Sequence, residues 1–352
     1  MCKEVLSLKG HTIRKIASLI GNLTASLPAV PFGKLFNRSI ERDKIAALKL
    51  NRGDFDSKMK LSCLAKKDIN WWVLNIPKAF KYISSLPIDI TLFTDASNLS
   101  WGITNGNNPS GGLWNEAECA QHINWKELKA IQIGILTYCK KNTFKHVRIM
   151  CDNTTAISYI NNMGGIQSSG CDSLSRDIWL YCHTRGLWIS AAFIPGKDNK
   201  VADEKSRNIN LGTEWMLNTN IFKNIVKRLY CPEIDLFASR INKQLDKYVS
   251  WHPDPDAIAI DAFTIKWDTS SYFIFPPFSV INKVISKIRH ENATGILVVP
   301  DWPSQSWYPR AMSLGKVVMK ISPRDNNLHS PQDINIHHPL AEQMHLLVIQ
   351  TV

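Results

Sequence analysis

The chain has 352 residues, 44% of them hydrophobic and 20% charged, the balance of a soluble globular protein with room for two or three cores. No apolar run approaches the ~20 residues of a membrane span, and Met1–Val5 lack the apolar core of a signal peptide, so no membrane partner is expected. The eight cysteines are scattered without a C-x-x-C pair, which speaks against a zinc knuckle or a disulfide framework and for a reducing, intracellular compartment, nucleus or cytoplasm. The net charge of +12 is unevenly placed: residues 1–88 hold 16 Lys/Arg against 6 Asp/Glu, which leaves only +2 for the other 264 residues. A basic segment beside a nearly balanced one points to a polyanion partner, nucleic acid first. A solvated basic surface is the plainer alternative.

Residues 1–88 read as mostly helical. Arg14 to Gly21 has helical spacing with a glycine stop, Ser39 to Leu50 repeats apolar Ile40, Ala46, Ala47 and Leu48, and Leu61 to Val73 gives a third helix ending near Trp71-Trp72. The Pro28/Pro31 stretch is a connector. From Ile88 strands and helices alternate. Residues 90–97 climb through β-branched and apolar residues to Asp95 and then stop in small polar ones, the pattern of a buried strand delivering a carboxylate to its end. Trp101–Thr104 and Gly112–Trp114 read as further strands across a turn-rich 105–111, and Asn124 to Lys141 as a helix. Val147–Asp152 is again a strand, Thr154 to Met163 and Ser173 to Arg185 are helical, Leu187 to Ile194 is a strand, and Asn199 to Asn208 a short helix. Three antiparallel strands followed by helix–strand–helix–strand–helix predict a mixed sheet flanked by helices. Residues 209–230 suggest a connecting helix around Trp215, Ile221, Ile225 and Leu229. From Cys231 a second α/β unit is expected, with buried parallel strands at Glu233–Phe237 and Gly295–Val299, a Pro276-Pro277 turn, and a helix from Val280 to His290.

Four carboxylates carry the chemistry of this reading: Asp95, Glu127, Asp152 and Asp203. Each has an ordinary alternative. Asp95 suits an Asx-turn or helix N-cap, and Asp152 a cap for the helix after it. Glu127 is N3 of the capping-box pattern Asn124-Trp125-Lys126-Glu127, and Asp203 suits an exposed helix face. Two strand ends and two helix starts can nevertheless converge on one edge of a sheet. Clustered carboxylates repel and need cations, and oxygen-only ligands favour Mg²⁺ or Mn²⁺ over zinc. Two such ions suffice to hydrolyse a phosphodiester.

Residues 90–208 resemble a retroelement ribonuclease H. The resemblance lies in Thr94-Asp95-Ala96-Ser97, Trp101-Gly102, Glu127 within Asn124–Leu128, Asp152-Asn153-Thr154-Thr155-Ala156, and Ile194–Asn199 leading to Ala202-Asp203 and Ser206-Arg207. It is similar above all to DIRS-type retrotransposon polyproteins. It implies a ribonuclease H-like mixed sheet with two metal ions held by Asp95, Glu127, Asp152 and Asp203, and as substrate the RNA strand of an RNA–DNA hybrid. The loop 196–200 lacks the histidine of cellular members, which puts product release or metal handling in doubt, and Glu204-Lys205 replaces a more apolar pair. Residues 1–88 resemble the connection between polymerase and ribonuclease H. No Tyr-x-Asp-Asp occurs, so polymerase activity is not expected and a reverse transcriptase polymerase core would be a partner.

The end of the chain resembles the adenine-methyltransferase-like region of the same elements, through Asp235-Leu236-Phe237-Ala238, Asp261-Ala262-Phe263 and Phe275-Pro276-Pro277-Phe278. Phe275 stands where active members carry Asp or Asn, and no glycine-rich cofactor loop precedes, so a non-catalytic Rossmann-like domain is expected. Trp302, Trp307 and Tyr308 offer stacking on bases, but core or loop packing is the favoured expectation for such large side chains. The organisation read from sequence is therefore a basic helical segment at 1–88, a ribonuclease H-like domain at 89–208, a connecting helix at 209–230 and a methyltransferase-like α/β domain at 231–352. The alternatives are a catalytically silent nucleic-acid-binding remnant and, less favoured, a DNA adenine methyltransferase.

Overall fold

The computed structural model describes residues 1–8, 10–81, 87–207, 215–323 and 327–351. In chain order, α1 (Cys2–Ser7), β1 (His11–Thr12), α2 (Ile13–Ser26), α3 (Arg38–Leu50), β2 (Lys58–Met59) and α4 (Cys63–Asn75) form the first segment. Next come β3 (Ile90–Ala96), β4 (Ser100–Thr104), β5 (Ser110–Leu113), α5 (Glu116–Cys119), α6 (Ile123–Tyr138), β6 (His146–Cys151), α7 (Thr154–Asn161), α8 (Ser169–Thr184), β7 (Trp188–Phe193) and α9 (Lys200–Arg207). The remainder holds β8 (Met216–Leu217), α10 (Thr219–Arg228), β9 (Ile234–Asp235), β10 (Val249–Ser250), β11 (Ala259–Ile260), β12 (Tyr272–Ile274), α11 (Ile281–Glu291), β13 (Gly295–Pro300), α12 (Tyr308–Met312), β14 (Gly315–Ile321), β15 (Leu328–His329) and β16 (Leu346–Thr351). Among the described residues no helix is long and apolar enough to cross a membrane.

The chain packs as two compact units whose segments alternate along the sequence, with the division falling inside β3. The first comprises residues 1–93, 127–132 and 141–199. Here α2 buries Ile13, Ile16, Leu19, Ile20 and Leu23 as one stripe, and Thr12 caps it by accepting from the Lys15 N–H at 3.3 Å. The expected glycine stop is overridden. The helix runs through Gly21 to Ser26, because burying Leu23 outweighs the ~1 kcal/mol cost of a mid-helix glycine. The basic segment is anchored on α8 by a buried fork: Arg176 donates to both oxygens of Asp68 at 2.6 and 3.0 Å, and Ser39 Oγ adds a third bond at 2.5 Å. Arg42 pairs with Asp172 at 3.0 Å, and Phe36 stacks on Trp71 with ring centroids 3.9 Å apart. In the same unit β3 pairs in parallel with β6, and β6 with β7.

One five-stranded mixed sheet has the order β5-β4-β3-β6-β7, which counted from β3 is third, second, first, fourth, fifth. The strands and helices anticipated between Ile90 and Asn208 recur with ends shifted by a few residues. Asn208 lies outside the described residues.

The second unit comprises residues 94–126, 133–140 and 200–352. Its β4 and β5 are antiparallel, and α9 lies directly on them. Glycine permits that approach: a Cβ on Gly102 would stand 2.0 Å from the Ala202 carbonyl oxygen, and one on Gly111 2.7 Å from that of Lys205. A second five-stranded sheet has the order β14-β16-β13-β12-β9. Its β9 and β13 run parallel, as the sequence suggested, on either side of an unanticipated parallel β12, whereas β16 and β14 run antiparallel. Alternation sorts its side chains: Tyr272, Ile274, Leu297 and Val299 meet α11, while Phe273, Ile296 and Val298 meet α10. The connecting helix is shorter than expected, Thr219–Arg228, because the Asn218 side chain caps it by accepting from the Asn220 N–H. Trp215 precedes it, next to β8, which pairs with β15. Residues 209–214 of that expectation lie outside the described residues. Trp307 is buried in the core, and Trp302 and Tyr308 pack against it.

Candidate metal centre

Parallel pairing fixes two of the acids. The β3–β6 register matches Phe93 with Met150, so two residues further Asp95 and Asp152 come side by side at the carboxyl ends of neighbouring strands. Neither serves as a helix cap. The cap of α7 is Asn153, whose side chain accepts from the Ala156 N–H at 2.9 Å, which leaves Asp152 out of the capping role.

Glu127 reaches the same place from α6. Its helix buries Leu128, Ile131 and Ile135, and Glu127 shares that face at 3% exposure. The capping-box alternative is set aside because the cap is His122, whose ring Nδ1 accepts from the Asn124 N–H at 3.2 Å. A capping box forms instead at the start of α5, between Asn115 and Glu118.

Asp95, Glu127 and Asp152 each offer a carboxylate oxygen, and these lie within 4.8 Å of one another. Asp203, the fourth acid, is not in this group. It lies on α9, partly exposed, and pairs with Arg207 at 2.5 Å. Three carboxylates at this spacing, two of them buried, repel by about 3–4 kcal/mol per pair at an effective dielectric near 20 and 4.8 Å. A divalent cation would reverse the sign of that balance. The donor set, oxygen without histidine or cysteine, fits Mg²⁺ or Mn²⁺.

The surroundings hold the acids in place. Lys126, buried beside Glu127, donates through Nζ to the carbonyls of Asn98 at 2.8 Å and Cys119 at 2.9 Å, tying the turn after β3 to α6. Gly196 lets its loop lie against Asp152, since a Cβ there would stand 3.2 Å from Oδ2. Ser206, fully buried on α9, donates to Asp95 Oδ2. Lys126 and Ser206 lie inside motifs of the sequence, yet nothing in their spacing announces a side chain bonded to a neighbouring segment.

A second feature lies near the end of β9. A cavity of about 490 Å³ is lined by Leu236, Phe237, Arg240, Trp251, Asp254 and Phe263, among others. Asp235, which precedes the lining residue Leu236, is fully buried, and that burial pushes its carboxyl up to about 7 against the pull of the Gln244 and Phe237 N–H groups. Phe275 packs with the cluster on the α10 face of the sheet and does not line the cavity, so no hydrogen-bonding side chain stands at that position.

No protein-family model and no curated protein matches this sequence. Among solved structures, ribonuclease H1 from the halophilic archaeon Halobacterium salinarum NRC-1 is similar over 33% of this chain and 92% of its own, at 12% identity and a TM-score of 0.28. A foamy viral protease-reverse transcriptase in complex with an RNA/DNA hybrid is similar over 60% of this chain at 11% identity and a TM-score of 0.23. A foamy viral protease-reverse transcriptase bound to double-stranded DNA covers 55% at 10% identity and 0.22. The chain spans 30% and 35% of those two viral chains. Likeness of this degree carries no argument; the carboxylates do.

Proposed function

We propose that this chain is a retroelement ribonuclease H that cleaves the RNA strand of RNA–DNA hybrids. The observation that carries this reading is the convergence of Asp95, Glu127 and Asp152 within 4.8 Å, where two parallel strands end beside a helix face. Asp95, Glu127 and Asp152, with Asp203 as the fourth acid, would hold the two divalent cations of this reading. Divalent cations, when bound, supply activation of water and charge compensation for the leaving oxygen. The protein's own part is positional: β3 and β6 set the spacing of two acids, α6 presents the third, and Lys126 fixes the turn between them. The basic first segment holds the duplex by its phosphates, and a reverse transcriptase polymerase core is the natural partner. On this reading the motif set is that of a DIRS-type element, and the last domain is a non-catalytic methyltransferase-like relic in which Phe275 replaces the required hydrogen-bonding side chain.

The test offers the chain a labelled RNA–DNA hybrid, an RNA duplex and a DNA duplex with Mg²⁺ at two salt concentrations. The reading expects cutting of the RNA strand in the hybrid alone, with affinity falling steeply as salt rises. Salt-dependent binding without cutting of any of the three would select the silent nucleic-acid-binding remnant instead.

A further inference from the structure

Asp95 is held from a direction that no acid in the motif explains. Ser206, on the last turn of α9 and fully buried, donates its hydroxyl to Asp95 Oδ2. The hydroxyl has one proton and two acceptors within reach, the carboxylate and the Asp203 carbonyl 2.9 Å away. An ionised carboxylate is the stronger acceptor, so the proton goes to Asp95.

The serine is itself clamped. Its carbonyl is one of the four at the end of a helix that have no partner inside it. Here Ser97 Oγ donates to that carbonyl at 2.8 Å, and Ser100 Oγ donates to it as well. Ser97 and Ser100 bracket the turn that follows Asp95, and the Ser100 N–H donates to Ser97 Oγ at 3.1 Å. Close approach of α9 to β4 at Gly102 leaves the helix no room to settle nearer. The turn that follows Asp95 thus holds the helix, and the helix returns a hydroxyl to Asp95.

Resting on the hydrolase reading above, we propose that Ser206 is a positioning residue for the metal centre: its hydroxyl fixes the rotation of the Asp95 carboxylate, and the Ser97–Ser100 clasp fixes Ser206. Removing the hydroxyl leaves the clasp intact, because the clasp grips the backbone carbonyl. The side-chain role and the structural role therefore separate by mutation. A partner that orients a metal-binding carboxylate typically contributes 10–100-fold to metal affinity or activity.

The experiment uses the full chain as wild type, Ser206→Ala and Ser206→Thr. Mn²⁺ binding is measured by calorimetry, hybrid cleavage as a function of Mg²⁺, and thermal unfolding in EDTA. Ser206→Ala is expected to weaken Mn²⁺ about tenfold and to raise the Mg²⁺ needed for half-maximal cleavage by a similar factor, with the KM for hybrid unchanged. Ser206→Thr, which restores the hydroxyl, is expected within about twofold of wild type. An alanine variant that binds Mn²⁺ as tightly as wild type overturns the assignment, and so does a threonine variant as weak as the alanine. Wild type that neither binds Mn²⁺ nor cuts hybrid sinks the hydrolase reading and this inference with it. A defect confined to the serine variants separates the two.

Discussion

Replacing Gly102 by alanine strikes the docking of α9 on β4 without touching any charged group. The added Cβ would sit 2.0 Å from the Ala202 carbonyl oxygen and 2.7 Å from the Ser206 nitrogen, where ordinary contact begins at 3.4 Å. Both obstacles are helix backbone, so no rotamer change relieves them, and α9 must move outward by about 1.4 Å. That shift stretches the 2.8 Å bond from Ser97 Oγ to the Ser206 carbonyl beyond hydrogen-bonding range. Overpacking at about 1–3 kcal/mol and two lost hydroxyl bonds at about 1 kcal/mol each sum to roughly 3–5 kcal/mol. At about 2–4 °C per kcal/mol, Tm should fall by roughly 6–20 °C. Calorimetry and hybrid cleavage measure the two consequences, since a displaced α9 also withdraws Ser206 from Asp95. Gly21→Ala is the control: its Cβ meets nothing within 4 Å in mid-helix, so it should stabilise by about 0.5–1 kcal/mol. Gly102→Ala with wild-type Tm and wild-type cleavage would refute the close-docking argument.

Two further outcomes follow from buried charges. Arg176→Ala leaves the buried Asp68 carboxylate without its fork and should destabilise the first unit by about 3–5 kcal/mol in urea unfolding, with Asp68→Ala costing less because the partly buried Arg176 keeps the Leu35 carbonyl. A loss under ~1 kcal/mol would mean that the pair is solvated. Asp235 sets a pH dependence. Its folded pKa, raised to about 7, lies above the ordinary 3.8, so the folded state binds more protons between these values. Its stabilising contribution is complete below about pH 4 and is lost as pH rises through 7, on the order of 4 kcal/mol in all. Unfolding midpoints at pH 5 and pH 8 read the slope, which Asp235→Asn should flatten; an unchanged slope in that variant would assign it to other groups.

The first sheet and its acids were largely legible because their signals are local. Apolar β-branched runs ending in Asp95 and Asp152, and an apolar stripe with Glu127 on its face, each point one way. Parallel pairing then brings the two strand-end acids together with no further information. Asp203 belongs to the same set by its sequence motif, and in the structure it has Arg207 as a local i,i+4 partner, a pairing that the motif does not announce. The Ser206–Asp95 bond and the Asp68–Arg176 fork join residues 111 and 108 positions apart, and hydrophobic periodicity carries no trace of such pairs. The antiparallel β14 and β16 escaped for a different reason. Leu346–Thr351 is a short apolar run whose periodicity does not distinguish strand from helix until its partners are known.

Cleavage of a labelled RNA–DNA hybrid by the full chain, with Mg²⁺, with EDTA, and with Asp95→Asn, tests the acid cluster most directly. The account predicts cutting of the RNA strand that requires Mg²⁺, vanishes in EDTA, and falls at least a thousandfold in Asp95→Asn while hybrid binding persists. Cutting by Asp95→Asn at the wild-type rate would contradict it.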